Sequence, residues 1–181
     1  MGVLDTVVLA MWVMLPAYLP NNVAVIAGGG RPIDGGRTWH GRRVLGDGKT
    51  WRGSLAGVIG GVIVALGLNQ LHTVAVPTIG VDVPRFSLPI VLAFPLGAVS
   101  GDIAASFLKR RVDRERGAAL PGVDQLDFLV AALLVGALLD FAWMRQTFSL
   151  ALLATVFILT PILHVGTNVL AYLLGLKDVP W

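Results

Sequence analysis

The sequence LPIVLAFPLGAVSGDIAASFLKRR, residues 88–111, gives the clearest indication of the fold. Its apolar part, Leu88 to Leu108, matches the roughly 20 residues that a helix needs to cross the hydrocarbon core, and three basic residues follow it directly. One acidic residue, Asp102, interrupts the apolar run. Such a carboxylate is costly in a membrane unless it is paired, hydrated or bound to a cation. The stretch therefore predicts a transmembrane helix with a functional Asp102 near its basic end.

The rest of the chain has the same character. Its 181 residues are 55% hydrophobic and 14% charged, with a mean hydropathy of +0.77, whereas a soluble domain has about 25% charged residues. Four more long apolar stretches occupy about residues 3–19, 55–71, 126–143 and 148–174. They lack the period-two alternation of a membrane β-barrel. We therefore predict an all-α polytopic membrane protein, a bundle of about five transmembrane helices that forms a single domain over residues 1–181.

Basic residues concentrate in two segments between the predicted helices. Six of the 14 Lys and Arg residues lie from Gly28 to Gly53, and five lie from Lys109 to Arg116. The loops at the other end, about residues 70–87 and 144–147, carry few ionisable groups. Because cytoplasmic loops are enriched in Lys and Arg, we predict a multi-pass protein of the cell membrane with two basic cytoplasmic loops. The N-terminus is then outside and the C-terminus is cytoplasmic.

Glycines recur every four residues in two of the apolar stretches. They are Gly53, Gly57 and Gly61 in one, and Gly97 and Gly101 in the other. Small residues at this spacing let helix backbones approach closely in lipid. We interpret these glycines as structural.

Acidic residues collect beside the basic segments. Asp124 and Asp127 stand three apart at the start of the fourth stretch and would share a helix face; carboxylates there can also simply complement a helix dipole. Close carboxylates near Asp102 and near many basic residues favour Mg²⁺ bridging to phosphate, since Mg²⁺ takes few protein oxygens. Thiolate metal sites are excluded, because the chain has no cysteine. The pattern predicts a phosphoryl or nucleotidyl transfer site with Asp102, Asp124 and Asp127 as metal ligands.

Two further sequence patterns are typical of phosphate-binding sites. Ser106 and Lys109 follow Asp102 on one helix face. In the first basic loop, RRVLGDGKTWRG at residues 42–53 looks like the tail of a nucleotide-binding P-loop, but a Walker A motif needs glycine where this chain has Arg43, and no strand is predicted before it. What remains is a glycine-rich basic segment directly before a helix N-terminus, and these features favour an anion.

The stretch SFLKRRVDRERGAALPGVDQLD, residues 106–127, resembles the signature of the CTP:phosphatidate cytidylyltransferases. The matching elements are Ser106, Lys109, Arg110, Pro121, Gly122, Asp124 and Asp127. That family usually has arginine where this chain has Gln125, so a role for that arginine does not transfer. The chain is still more similar to the compact archaeal branch, the CDP-archaeol synthases, through residues 15–36, 42–53, 101–111 and 166–181.

This resemblance implies a reaction in which CTP and unsaturated archaetidic acid, a diether glycerol phosphate lipid, give CDP-archaeol and pyrophosphate with Mg²⁺. No nucleic acid partner is expected. Together with the patterns above, it assigns catalytic roles to Lys49, Lys109, Asp124 and Asp127. It assigns binding of the CTP and lipid phosphates to Gly46, Gly48, Lys49, Thr50, Arg52, Ser106, Lys109, Arg110 and Arg111.

Two interpretations remain open for several polar residues near helix ends. Asn21, Asn22, His164 and Asn168 either hydrogen-bond across helices or contact the base or ribose. Two rival functions also remain: a CDP-alcohol phosphotransferase, although its Asp-Gly and Ala-Arg pattern does not follow Asp102 or Asp124, and a small membrane transporter that uses Asp102. Asp140, near the outer end of the fourth stretch, has no predicted role.

Overall fold

The computed structural model describes residues 2–111, 123–173 and 175, with only the backbone of Val123, Asp124 and Ala171. Within these ranges the chain forms six helices and a short hairpin. The helices are α1 Val3–Ile26, α2 Trp51–Ile79, α3 Leu88–Arg111, α4 Val123–Leu139, α5 Phe141–Thr147 and α6 Leu150–Leu173. The strands β1 Thr38–Trp39 and β2 Arg42–Arg43 pair antiparallel in the loop between α1 and α2. The helices α1, α2, α3 and α6 are long and apolar enough to span a membrane, so the predicted all-α multi-pass fold is confirmed.

The central helix of the bundle is α3. It packs against α1, α2 and α4, and α1 packs in turn against α2 and α6. Ile90 and Phe94 of α3 are fully buried, and the same core contains Met14 of α1, Leu129 of α4 and Leu152 of α6. The stretch that predicted a membrane helix therefore also supplies much of the buried surface.

The outside of the bundle is apolar as well. Along α2 the side chains of Leu55, Ile59 and Ile63 recur every four residues and are 63%, 48% and 63% exposed. Soluble proteins rarely expose apolar patches of this kind. Hydrocarbon is therefore the environment that fits this surface.

Glycines determine how closely α2 approaches α1. A Cβ atom on Gly57 would lie 2.6 Å from the carbonyl oxygen of Pro20, and one on Gly61 would lie 2.7 Å from that of Pro16. Because Pro20 has no N–H, the Pro16 carbonyl lacks its usual helical donor, and Gly61 lies against it. The contact thus requires glycine at Gly57 and Gly61, as the spacing predicted.

The contact between α3 and α4 depends on the second glycine pair. A Cβ atom on Gly97 would lie 2.5 Å from the Cα of Ala132, and one on Gly101 would lie 2.5 Å from the carbonyl oxygen of Asp127. The structural interpretation of these glycines is also confirmed. The close approach at Gly101 brings the neighbouring Asp102 next to the first turns of α4.

The fourth predicted helix, residues 126–143, is wrong at its outer end. Helix α4 stops at Leu139, and Asp140 begins the short helix α5 by accepting the N–H of Trp143 at 3.0 Å. The same carboxylate accepts the hydroxyl of Ser87 at 2.6 Å, and the indole N–H of Trp143 donates to the Arg85 carbonyl at 2.8 Å. Asp140 is therefore a helix cap that fixes the segment before α3. The predicted loop at residues 144–147 belongs to α5.

Two other predicted boundaries fall short of the observed helices. Helix α1 continues past residue 19 to Ile26 although it contains Pro16 and Pro20, and α2 continues past residue 71 to Ile79 although it contains Pro77. As a result the outer loop begins at Gly80, the C-cap of α2, rather than at residue 70. At the other end, the last turns of α1 and α3 and the first turns of α2 and α4 come together; we call this the basic end.

The glycine contact between α2 and α1 can be tested with one methyl group. Gly61→Ala adds only the Cβ atom that would meet the Pro16 carbonyl and a side-chain carbon of Pro95. We expect the free energy of unfolding to fall by about 1–3 kcal/mol, the usual cost of overpacking, and the thermal midpoint in detergent to fall with it. The control is Gly67→Ala, since nothing lies within 4 Å of that Cβ position and alanine favours a helix. Equal midpoints for the two variants would contradict this packing.

Candidate active site

The first loop is folded back on itself at the basic end. Residues 31–33 run antiparallel to residues 49–51 and form a strap: the N–H of Ile33 donates to the Lys49 carbonyl at 2.8 Å, and the N–H of Trp51 donates to the Arg31 carbonyl at 3.2 Å. Thr50 begins α2 as its N-cap, with its hydroxyl accepting the N–H of Gly53 at 3.1 Å. The backbone of Lys49 is therefore held on both sides, immediately before a helix.

The buried carboxylate of Asp34 organises the loop that connects the two halves of the strap. Its Oδ1 accepts the Arg43 guanidinium at 2.8 Å and the N–H of Gly36 at 3.1 Å. Its Oδ2 accepts Nε of Arg43 at 3.2 Å and the N–H groups of Leu45 and Gly46, both at 3.0 Å. The Arg43 hydrogen bonds hold the pKa of Asp34 well below its usual range, although burial raises that pKa; the N–H groups of Gly46, Leu45 and Gly36 lower it further.

Lys49 meets Asp102 at the basic end. The ammonium Nζ of Lys49 donates to Oδ2 of Asp102, and the two side chains are 25% and 31% exposed. The cost of placing Asp102 in an apolar helix is thus offset by a cation from the first loop. A lysine predicted to bind phosphate and a carboxylate predicted to bind metal form one ion pair.

The last turn of α3 contacts the loop between α1 and α2. The guanidinium of Arg110 lies against Gly46, where a Cβ atom would come within 3.3 Å of it; Gly46 also has a φ of 93°, which favours glycine. Arg111 donates to the carbonyls of Trp39 and Arg43 at 2.9 and 3.0 Å. Its guanidinium also lies 5.2 Å from the ring centroid of Trp39. Arg111 therefore holds the hairpin, a contact that was not predicted.

A cavity of about 390 Å³ lies beside the Lys49–Asp102 pair, between α1, α3, α4 and α6. One wall is apolar and includes Met11, Leu15 and Leu163. The polar residues that line the cavity are Tyr18, Asn21, Asn22, Asp102, Asp127, Thr160, His164, Thr167 and Asn168. This cavity therefore brings Asp102 and Asp127, two of the predicted metal ligands, together with four polar residues whose role the sequence left open. These are Asn21, Asn22, His164 and Asn168.

Several hydrogen bonds join the polar residues that line this cavity. Asn22 donates to the Tyr18 carbonyl at 3.3 Å, and Asn168 and His164 approach to 3.4 Å, each pair within one helix. The Tyr18 and Thr160 hydroxyls share a hydrogen bond of 2.8 Å across the cavity wall. The buried Oδ1 of Asn21 has no hydrogen-bond partner among the described residues.

Asp127 lies at the junction of two spaces. It lines the polar cavity, and it also lines a groove of about 360 Å³ between α3 and α4 whose other walls are apolar. Its carboxylate accepts the N–H of Phe128. The side chain of Asp124, one turn earlier in α4, lies outside the described residues. Among the side chains that are described, no three of the types His, Asp and Glu cluster as a metal site, so the ligand trio of Asp102, Asp124 and Asp127 stays a prediction.

The remaining predicted residues surround this site. Ser106 and Lys109 are half-buried in the last turns of α3, and Gly48 is exposed next to Lys49. Arg52 donates to the Ala27 carbonyl at 2.7 Å, which ties α2 to the end of α1. Thr50 is only 3% exposed, and its hydroxyl caps α2. Their predicted contacts with phosphate stay predictions.

Sequence reasoning missed Asp34, Arg43, Tyr18 and Thr160. One signal for Asp34 was available: only two acidic residues, Asp34 and Asp47, stand among the six basic residues of the first loop. The sequence marked Arg43 only as one of six basic residues and as the residue that breaks a P-loop motif. Nothing in the spacing of Tyr18 and Thr160 marks them, because their contact depends on how α1 and α6 are rotated in the bundle.

Known proteins are similar to this chain over nearly its whole length. Residues 3–181 match the model of the CarS-like family, described as CDP-archaeol synthase. The chain is similar to the CDP-archaeol synthases of Haloarcula marismortui, with 60% identity over 181 residues that cover all of both chains, and of Archaeoglobus fulgidus, with 46% identity over 182 residues that cover 98% of this chain and 99% of that one.

A solved structure is also similar. It is that of an intramembrane enzyme for archaeal membrane lipid biosynthesis, with a TM-score of 0.70, 34% identity, and coverage of 88% of this chain and 92% of that chain. The family model, the relatives and the solved structure each match most of this chain. The chain belongs to the CarS-like family of CDP-archaeol synthases.

Proposed function

We propose that the protein transfers CMP from CTP to the phosphate of unsaturated archaetidic acid, giving CDP-archaeol and pyrophosphate, with Mg²⁺ as cofactor. Family membership supports an enzyme of this type. The observation that carries the proposal is the placement of the Lys49–Asp102 ion pair: it lies at a polar cavity between membrane helices, under a basic loop. A soluble, highly charged nucleotide and a membrane lipid can meet at such a place.

The chemistry is a displacement at phosphorus. An oxygen of the lipid phosphate attacks the α-phosphorus of CTP, and the bond from that phosphorus to the pyrophosphate oxygen breaks. The two reactants are both anions, so catalysis consists chiefly of positioning and charge neutralisation. We assign the neutralisation to Lys49, Lys109 and Arg110, which come from the first loop and from the last turn of α3.

The residues present suit Mg²⁺. This ion prefers oxygen ligands and needs few from the protein, since phosphates and water complete its shell. The Asp102 and Asp127 carboxylates face one polar cavity, and the buried Asn21 Oδ1 there has no described partner. Asp102 and Asp127, with Asp124, would hold the ion. When bound, it would neutralise phosphate charge and favour departure of pyrophosphate.

The ion pair keeps Lys49 and Asp102 ready to bind the nucleotide and its cation. Without nucleotide, Lys49 and Asp102 neutralise each other. A bound triphosphate would give Lys49 a stronger anionic partner, and Asp102 would then be free to hold the accompanying Mg²⁺ as its cationic partner. Binding therefore replaces one ion pair by two attractions, and neither group is left as an unpaired charge in an apolar helix.

The polar cavity and the apolar groove meet at Asp127, and the groove suits the lipid chains. The groove between α3 and α4 is lined by Gly101, Ala104, Leu108 and Val130, and Asp127 closes its polar end. Ala104 and Leu108 are exposed, so the groove is open to the bilayer. We assign an isoprenoid chain to this groove, with the lipid phosphate near Asp127 and Lys109.

The basic end is then cytoplasmic. This orientation follows from the concentration of Lys and Arg in the first loop and at the end of α3. It also places the nucleotide site on the side of the membrane where CTP is made. The N-terminus of α1 is correspondingly outside.

The proposal is tested with purified protein, CTP labelled in the cytidine, and a diether or diester glycerol phosphate lipid. We expect label in the lipid and equimolar pyrophosphate with Mg²⁺, and neither with excess EDTA. Equal transfer of label to both lipids would contradict selectivity for the ether lipid, but it would still support transfer of CMP from CTP. In a parallel assay with CDP-lipid and an alcohol, formation of the phosphodiester lipid and CMP, without any transfer from CTP, would instead indicate a phosphotransferase. Ion flux into vesicles without either reaction would indicate a transporter.

Removing the Lys49 charge tests the ion pair. Lys49→Met is expected to lower kcat/KM for CTP at least about 100-fold, as loss of one preorganised charge stabiliser commonly does, while the protein stays folded in detergent. The control is Arg145→Gln, an exposed cation in α5 at the opposite end, which should behave as wild type. Activity of Lys49→Met close to that of wild type would make Lys49 only an anchor.

Filling the groove between α3 and α4 tests the path of the lipid. Ala104→Trp places a bulky ring in it, and we expect KM for the lipid to rise about tenfold, the loss of a modest apolar contact, with KM for CTP unchanged. Ile63→Trp changes another lipid-facing position, on α2, and serves as the control. The same kinetics in both variants would show that the chains enter elsewhere.

A further inference from the structure

We infer that Asp34 is a positioning residue for the reaction: through its ion pair with Arg43 it closes the first loop in the shape that keeps Lys49 on Asp102. The inference rests on the proposed function, since it assigns to Asp34 an effect on CTP use. Asp34 touches neither Lys49 nor Asp102 in the structure, so its effect is indirect.

A continuous series of contacts leads from Asp34 to Lys49. The Asp34 carboxylate holds the N–H groups of Leu45 and Gly46. The Gly46 carbonyl then accepts the N–H of Lys49 at 3.4 Å, which closes a tight turn. From the other side, Ile33, the residue before Asp34, donates to the Lys49 carbonyl. Asp34 thus fixes both the turn that precedes Lys49 and the strap that supports it.

Both oxygens of the Asp34 carboxylate accept hydrogen bonds, so a neutral amide in its place would point an N–H group at another donor. Oδ2 accepts three donors, from Arg43, Leu45 and Gly46, and Oδ1 accepts two, from Arg43 and Gly36. In Asp34→Asn the amide NH₂ faces donors in either orientation. The guanidinium of Arg43 also loses its buried partner, which is the costly way to break such a pair.

The same loop offers a matched comparison. Arg43 also pairs with Asp47 at 2.7 Å, but the Asp47 side chain is 65% exposed, whereas that of Asp34 is 1% exposed. Exposed pairs contribute little. The two acidic residues therefore share one guanidinium and differ in burial and in the number of backbone N–H groups they hold.

The pair also lies where α3 meets the loop. The Arg43 carbonyl accepts Arg111, and Gly46 lies against Arg110. If the loop opened, the arginines at the end of α3 would lose these contacts while Lys49 left Asp102. Asp34 therefore acts at the point where the two basic segments are joined.

The first experiment compares Asp34→Asn with Asp47→Asn in the labelled CTP assay. We expect Asp34→Asn to lower kcat/KM for CTP by about 10- to 100-fold, as a misplaced catalytic group does, with KM for the lipid nearly unchanged. The thermal midpoint should fall, since a buried pair is broken, while the protein stays folded at the assay temperature. Asp47→Asn should stay within about twofold of wild type, since exposed pairs contribute little. Equal losses in the two variants would overturn the inference.

A double variant separates positioning from a general structural role. If Asp34 acts mainly through Lys49, Asp34→Asn should have a much smaller effect in a Lys49→Met background than in wild type, because the two substitutions largely remove one function. Multiplicative losses in the double variant would show that Asp34 acts independently of Lys49, and would overturn the inference.

A third measurement does not need activity. Limited trypsin digestion in detergent, read by mass spectrometry at Arg42 and Arg43, should be faster in Asp34→Asn than in wild type and in Asp47→Asn. Unchanged cleavage in Asp34→Asn would show that the loop does not depend on Asp34. An inactive wild type would instead count against the proposed function, because the cleavage pattern tests the loop alone.

Discussion

The ion pair between Lys49 and Asp102 is the contact on which the rest of the basic end depends. A carboxylate in an apolar helix needs a partner, and in this protein the partner comes from a loop more than fifty residues earlier in the chain. To reach Asp102, the loop must fold back over the ends of α1 and α3. The strap, the hairpin and the contacts of Arg110 and Arg111 all serve this folding.

Close helix packing is what brings the acidic residues together beneath that loop. At Gly101 the backbones of α3 and α4 approach so closely that no side chain fits between them, and this contact lies between Asp102 and Asp127. Without a hydrophobic force between helices in lipid, such association relies on backbone contact at small residues. The site is therefore positioned by glycines as much as by its charged residues.

Much of this arrangement could be predicted from the sequence because it depends on local composition. Apolar length predicted the long helices, charge predicted which ends meet, and glycine spacing predicted the contacts at Gly57, Gly61, Gly97 and Gly101. The helix ends were harder, since tertiary packing carries α1 through Pro20 and a side-chain cap breaks the fourth helix at Asp140. The bonds of Asp34 to Arg43, Leu45 and Gly46 depend on loop conformation, which leaves no periodic pattern. The rotation of α1 and α6, which directs Tyr18 and Thr160 to the cavity, is likewise a property of the assembled bundle.

The difference in burial between Asp34 and Asp47 has a consequence for how the protein responds to salt. Mobile ions screen charges that are in contact with water, and at 1 M salt the screening length is only about 3 Å. The exposed Arg43–Asp47 pair and the outward-facing arginines of the loop are subject to this screening. The Asp34 carboxylate is 1% exposed, although its partner Arg43 is 30% exposed, so this pair is screened less. Concentrated salt should therefore weaken the long-range attraction of the loop for anions more than it weakens the buried hydrogen bonds of Asp34 that shape the loop.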